Sequence, residues 1–150
     1  MKKAFTLLEL VFVIVVIGIL SVVAVPKLAP IISTAKDTKA KNTLASVRSA
    51  LANERQRRIL EGNFTNIADL GDATYAFRYF DNISTSPVLE VPVKNCASNS
   101  AKSCWQRNAA SSPITFTYRF SDGSDAVFKL QNSRLDCGDT VASDCEKLTQ

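Results

Sequence analysis

The sequence contains no histidine. This excludes every catalytic scheme that needs an imidazole base, including Ser-His-Asp and Cys-His arrangements, and every zinc site with a histidine ligand. Two common nucleotide-binding motifs, G-x-x-x-x-G-K-[ST] and G-x-G-x-x-G, are also missing. Glycine and proline are scarce, with five of each among 150 residues, which argues against a disordered or collagenous chain. We therefore expect a folded protein that is not an enzyme.

Apolar residues are concentrated at the N-terminus. The range 5–26 holds 22 residues and a single charge, Glu9. A helix of that length spans about 33 Å at about 1.5 Å per residue, enough for a bilayer core of about 30 Å. Lys2 and Lys3 precede it, and the positive-inside tendency predicts that they stay in the cytoplasm while the chain after Lys27 lies outside.

Glu9 is the unusual residue of this segment. A carboxylate in an apolar helix costs about 2.5–3.5 kcal/mol near the bilayer centre, and less near one end. A cationic partner is therefore expected, for which Lys2 and Lys3 are available in the uncut chain. The alternative is an interfacial glutamate without a role.

The range 2–10 reads KKAFTLLEL. This string resembles the leader and helix start of type IV pilins and type II secretion pseudopilins, which usually have glycine where this chain has Ala4. The resemblance implies that a prepilin peptidase cuts between Ala4 and Phe5 and that the new amine of Phe5 is N-methylated. It further implies that Glu9 pairs with the amine of a neighbouring subunit during assembly.

The same resemblance predicts how the chain is organised and where it resides. Residues 1–4 are the leader, 5–26 the transmembrane and assembly helix, 27–61 an amphipathic helix and 62–150 a globular head. The implied location is the bacterial inner membrane, single-pass with the head in the periplasm, and then a pilus, pseudopilus or the cell surface. Implied partners are other pilins or pseudopilins, an assembly ATPase and a platform membrane protein.

A different class of protein is the rival interpretation. An ordinary secretory signal is cut after its apolar region at a small-x-small site, for which Val22-Val23-Ala24 is a weak match. The chain would then be a secreted or membrane-anchored extracytoplasmic binding domain.

The apolar segment is predicted to continue as an amphipathic helix. Pro26 and Pro30 each remove a helical hydrogen bond and should bend it; the alternative is a helix that ends at Val25. Gly62 is a typical stop. Apolar residues then recur at helical spacing along one face: Ala40, Leu44, Val47, Leu51 and Ile59.

Residues 54–58, Glu-Arg-Gln-Arg-Arg, are the most basic patch. We interpret them as a solvated helix face or a contact to neighbouring subunits. Binding of DNA through its phosphates is the weaker alternative, because no aromatic residues that could stack on bases are interleaved with the arginines.

The head reads as a small antiparallel sheet. The range 114–120 alternates, with Ile114, Phe116, Tyr118 and Phe120 on one face, and the turn 121–125 leads to a returning strand at 126–130. Tyr75, Phe77 and Tyr79 also alternate, and residues 64–70 suit a short helical turn around Phe64, Ile67 and Leu70. The predicted fold is therefore α+β, a long bent helix packed on a small antiparallel sheet with disulfide-stapled loops. The resemblance described above implies that this layout is pilin-like.

Four cysteines lie in the head: Cys96, Cys104, Cys137 and Cys145. Their spacing does not suit a zinc knuckle, and an even number outside the cytoplasm indicates disulfides. Three connectivities are open. We favour the local pairs Cys96–Cys104 and Cys137–Cys145 over a pairing that crosses the two loops. Trp105 is expected to pack on a disulfide rather than to offer a ligand platform.

Two further patterns concern the polar loops. Five aspartates late in the chain allow calcium binding in the C-terminal loop, although the EF-hand spacing is absent and solvated acids are the favoured interpretation; they are Asp122, Asp125, Asp136, Asp139 and Asp144. Asn63-Phe64-Thr65 and Asn82-Ile83-Ser84 match the N-x-[ST] acceptor, and Glu61 before the first resembles the extended bacterial form.

Overall fold

The structure is a computed structural model of the 150-residue chain. It describes residues 5–138 and 142–149, with the backbone alone at positions 29, 142 and 143. The chain forms two compact units, Met1–Ala35 and Lys36–Gln150. Helix α1, Leu7–Leu60, contributes to both.

Helix α1 continues through both prolines, so the alternative in which it ends at Val25 is wrong. Its end has the hydrogen bonds of a Schellman motif: the Gly62 amide donates to the Ile59 carbonyl and the Asn63 amide to the Arg58 carbonyl. Gly62 has a φ of 76°, which favours glycine. The predicted stop at Gly62 is therefore confirmed.

The head contains two antiparallel sheets. Strands β1 (Tyr75–Phe77) and β2 (Val93–Lys94) form a two-stranded sheet, and a short 3₁₀ helix (Phe80–Asn82) follows β1. A second sheet has its four strands in chain order. These are β3 (Cys104–Asn108), β4 (Thr115–Arg119), β5 (Asp125–Gln131) and β6 (Arg134–Cys137), and helix α2 (Ala142–Thr149) comes after them.

Two tight turns set the register of the larger sheet. The loop between β4 and β5 contains Gly123, with a φ of 94°, and the predicted hairpin is confirmed. Between β5 and β6 only Asn132 and Ser133 intervene, both with positive φ, and Gln131 pairs with Arg134. Two residues with positive φ make a type I′ turn, which matches the twist of the flanking strands.

One core joins the helix to the sheets. The predicted face of α1 is buried from Ala40 to Leu51, with Leu44 1% and Val47 0% exposed. Aromatic rings from the strands complete the core. The centroid of the Phe77 ring lies 5.1 Å from that of Trp105 and 5.1 Å from that of Phe116. Contacts at this spacing are typical of favourable aromatic packing. The α+β layout of a helix on antiparallel sheets is thus present.

The prediction that Ile59 extends the buried face is wrong, since its side chain is 42% exposed. Ile59 lies eight residues after Leu51, about 80° around a helix of 3.6 residues per turn. Positions 54 and 58 continue the spacing instead, and both are buried: Glu54 is 7% and Arg58 6% exposed. The face therefore ends in a charged pair.

The expected helical turn at residues 64–70 is also absent, since these residues adopt neither helix nor strand. The aspartates described below hold this segment in an irregular path. Strands β2, β3 and β6 and helix α2 were not predicted, because each is short or carries few apolar residues.

Truncating one leucine on the buried face and one on the exposed face of α1 should distinguish the contribution of core packing to stability from that of helix propensity. Leu44→Ala should lower the free energy of unfolding by about 2–5 kcal/mol, because it leaves a cavity under the sheet. Leu60→Ala, at a position 87% exposed on the same helix, should change it by less than about 0.5 kcal/mol. Denaturant unfolding followed by circular dichroism measures both, and equal effects would contradict the assigned core.

Candidate assembly surface

The first half of α1 is apolar on all sides and uncovered. Exposure of its large apolar side chains runs from 39% at Val16 to 81% at Leu7. The window of highest mean hydropathy reaches 3.0, and none of it is buried. This segment is long and apolar enough to cross a membrane once. It is the largest bare apolar surface among the described residues.

The helix start is capped by Thr6. The Glu9 amide approaches Thr6 Oγ1 at 3.3 Å and donates to the Thr6 carbonyl oxygen at 3.1 Å. Thr-x-x-Glu is the capping-box pattern, so it was visible in the sequence. Glu9 is exposed in the first turn, where a carboxylate interacts favourably with the helix dipole. Phe5 is 78% exposed, whereas Ala4 lies outside the described residues.

Pro26 and Pro30 lie inside α1, as predicted. The Pro30 carbonyl accepts hydrogen bonds from the hydroxyls of Ser33 and Thr34, at 2.9 and 3.0 Å. Ser21 makes the same kind of bond to the Ile17 carbonyl at 2.8 Å. Hydroxyls bonded to the preceding turn often accompany bends in helices. The bend at the prolines stays a prediction.

The basic patch at 54–58 is a solvated face only in part, because Gln56 and Arg57 are exposed whereas Glu54 and Arg58 are buried. Arg58 Nε donates to Glu54 Oε1 at 2.8 Å, and both side chains are buried. Arg57 forms two hydrogen bonds to Glu54, at 2.8 and 2.9 Å, and one to Glu61 at 2.7 Å. Burial raises the pKa of Glu54, but the hydrogen bonds from Arg57 and Arg58 outweigh it and hold that pKa below its usual value.

Arg58 also ties the helix to the loop that follows it. Its NH1 donates to Asp81 Oδ2 at 2.8 Å. Asp81 Oδ1 in turn accepts the backbone amides of Ala68 and Asp69, at 2.7 and 3.0 Å. Asp81 has a φ of 48°, in the left-handed region. This conformation costs an L-residue energy and persists only where the surroundings hold it. These bonds hold it.

Two further aspartates organise the same loop. Arg107 donates to both carboxylate oxygens of Asp69, a bidentate pair. Asp72 Oδ1 accepts the amides of Thr74 and Tyr75, and Arg78 NH1 donates to its other oxygen at 3.0 Å. The Asp69–Arg107 pair joins residues 38 positions apart, so no sequence pattern indicated it. The partners of Asp72 lie within six residues of it.

Three arginines line an open groove of about 830 Å³ between α1 and the β5–β6 turn: Arg48, Arg55 and Arg134. Arg48 Nε donates to the Leu135 carbonyl, and Arg55 NH1 to Asn66 and Ser133. Two of the three guanidinium groups therefore already hold the head together. Binding of DNA phosphates stays an untested prediction.

The cysteines follow the favoured pairing in part. Cys96 and Cys104 form a disulfide, with Cα atoms 5.4 Å apart. The Cys137–Cys145 disulfide is not formed, and both are free thiols. Cys145 is buried and its Sγ lies 3.2 Å from the Val127 carbonyl oxygen. Burial, together with the adjacent Cys137, raises the pKa of the Cys145 thiol to about 12, which disfavours the thiolate.

Trp105 follows Cys104 but lies in the core, 3% exposed, among the rings of Phe77, Tyr118 and Phe128. Its indole Nε1 has no hydrogen-bond acceptor among the residues that the structure describes. A packing role agrees with this position, but the neighbours given are aromatic rings, and packing on the disulfide stays a prediction.

The late aspartates do not form a metal site in the part of the chain that the structure describes. Asp122 and Asp144 approach Lys147, at 3.5 and 3.3 Å, and Asp125 faces Arg119. Asp139 lies outside the described residues, and Asp136 lies on β6. The carboxylates are thus dispersed among cations.

Comparison with known proteins yields no match to this chain among family models, curated proteins or solved structures.

Replacing Arg58 tests the charged end of the helix face. Arg58→Met should lower the free energy of unfolding by about 3–5 kcal/mol, because Glu54 and Asp81 lose their shared cation in a desolvated site. Arg57→Met removes a cation from the same glutamate at a half-exposed position and should have a much smaller effect. Urea unfolding of the two variants gives the comparison, and indistinguishable midpoints would contradict this role for Arg58.

Proposed function

We propose that this chain is a structural subunit of a filament of the type IV pilin or type II secretion pseudopilin kind. One observation carries the proposal: in a single helix, the second half has one face buried in the head, whereas the first half is apolar and bare. The part of α1 that is buried in the head is the face from Ala40 to Arg58. The remaining surface needs lipid before assembly and other copies of the helix after it.

The environments in which the apolar side chains are stable determine how the subunits assemble. Inside a bilayer, apolar side chains gain little by leaving lipid for one another, so packing and polar pairs decide association. Once extracted into water, each large apolar side chain that becomes buried contributes about 1.5–3 kcal/mol. The bare segment from Phe5 to Val25 is therefore stable either in the membrane or in the centre of a bundle of such helices.

Glu9 supplies the polar pair. Cleavage after Ala4 creates an ammonium group at Phe5, at the positive end of the helix dipole, where a cation is unfavourable. Glu9, in the first turn, is the one acid in this segment. A pair between the Phe5 amine of one subunit and Glu9 of the next removes both lone charges and sets the stagger between helices, a role for which buried ion pairs are well attested.

The proposal includes its partners and location. The subunit is inserted in the inner membrane with its head outside, trimmed by a prepilin peptidase and N-methylated at Phe5. Extraction needs energy. We assign it to an assembly ATPase acting through a platform membrane protein, because the chain has neither G-x-x-x-x-G-K-[ST] nor G-x-G-x-x-G. The rival remains a membrane-anchored or secreted binding domain.

The N-terminus of the native protein distinguishes the two. We expect a chain that begins at Phe5 and carries one extra methyl group, found by intact mass and N-terminal peptide analysis of protein from native membranes. Glu9→Gln should leave this processing intact while lowering the amount of assembled filament. A chain that begins after Ala24, or still carries Met1, would refute the filament proposal.

A further inference from the structure

The loop directly after α1 carries an acceptor motif for N-linked sugars. Asn63-Phe64-Thr65 matches N-x-[ST], as does Asn82-Ile83-Ser84 later in the chain. The two differ at the position two residues earlier, which is Glu61 before the first and Phe80 before the second. The chain thus contains one acceptor with a preceding carboxylate and one without.

The Asn63 side chain is held with its amide nitrogen unoccupied. Its Oδ1 accepts the Thr65 amide at 3.0 Å and the Thr65 hydroxyl at 2.7 Å. Its Nδ2 has no hydrogen-bond partner within residues 5–138 and 142–149. The asparagine and the hydroxyl at the third motif position are therefore already in contact, and the nitrogen that would receive a sugar is free of the fold.

The loop is also accessible to an enzyme. Asn63 and Thr65 are exposed, and Phe64 between them is 72% exposed. Residues 63–66 lie outside any helix or strand, so the acceptor can enter a cleft without breaking a strand ladder. The side chain of Glu61 is half-exposed and forms a salt bridge with Arg57.

Asn82 is a poorer acceptor by the same criteria. It ends the 3₁₀ helix with a φ of 61°, beside the buried Phe80 and the tethered Asp81. An enzyme that draws this segment into an extended conformation must break the bonds from Asp81 to Arg58 and to the 68–69 backbone.

We propose that Asn63 is an N-glycosylation site whose donor is an oligosaccharide on a polyprenyl diphosphate carrier. In the transfer, Asn63 Nδ2 bonds to the anomeric carbon of the sugar. The bond from that carbon to the diphosphate oxygen breaks, polyprenyl diphosphate leaves with the electron pair, and one amide proton passes to a base of the transferase. No oxidant or reductant is needed. Because the transfer takes place outside the cytoplasm, this inference rests on the export of the head in the proposed function.

The added sugar would lie over exposed apolar side chains. Ile59 is 42%, Leu60 87% and Phe64 72% exposed, all within four residues of Asn63. The described head leaves them uncovered. A glycan at Asn63 screens this cluster from non-specific contacts.

Peptide mapping of the protein from native membranes tests the site. Trypsin separates the two acceptors, since Ile59–Arg78 contains Asn63 and Tyr79–Lys94 contains Asn82. We expect a glycan mass on the first peptide only. Asn63→Gln and Thr65→Ala should abolish it, Thr65→Ser and Asn82→Gln should retain it, and Glu61→Gln should reduce its occupancy severalfold. Unchanged unfolding midpoints show that the variants fold.

The N-terminal peptide of the same digest separates this inference from the proposed function. An unmodified Ile59–Arg78 peptide in a chain that begins with methylated Phe5 would overturn the glycosylation site and leave the filament proposal standing. An unmodified peptide in a chain that still begins at Met1 would overturn both. A glycan on Asn82 alone would also refute the assignment to Asn63.

Discussion

The rest of this structure depends on the burial of one regularly spaced face of α1 against the sheets of the head. Ala40, Leu44, Val47 and Leu51 supply the apolar layer that the strands need, and the aromatic rings of β1, β3, β4 and β5 close over it. Glu54 and Arg58 occupy the next two positions of the same spacing. A desolvated charged pair adds little net stability, but its charges must be paired in a specific geometry. Here Asp81 of the following loop forms a second salt bridge with Arg58. The face therefore defines both the core and the path of the chain that leaves the helix.

The N-terminal half of α1 lacks such a face. It has no polar side that could face water. Its apolar side chains point in all directions, as in a membrane span or the centre of a helical assembly. Glu9 interrupts this surface near the helix start, where Thr6 caps the backbone. A surface with one acid at a fixed position near the chain terminus is suited to repeated, staggered contacts between copies.

Patterns that depend on local spacing could be predicted from the sequence, whereas contacts between distant residues could not. Helical spacing identified the face up to Leu51, and the Asp-Gly turn identified the β4–β5 hairpin. The sequence did not indicate that the buried face continues through Glu54 and Arg58, because the pattern was identified from apolar residues and these two are charged. Asp69, Asp72 and Asp81 look like ordinary loop acids until their arginine partners are seen. The Asn132–Ser133 turn lacks the usual glycine. Cys145 lies against the Val127 carbonyl, and it stays a free thiol although Cys137 is adjacent. For the assembly surface, the sequence located the apolar segment and Glu9, and the structure added that the large apolar side chains of this segment are exposed.

The central claim is that the bare half of α1 is buried against other copies of itself. It is tested most directly by placing a photo-activatable benzoyl-phenylalanine at Phe12, a residue 70% exposed in this segment, and irradiating intact cells that express the chain. The account predicts covalent adducts between copies of the chain, at multiples of the subunit mass, which decrease when Glu9 is replaced by glutamine. A label that reacts only with lipid, leaving every chain at the mass of one subunit, would contradict it.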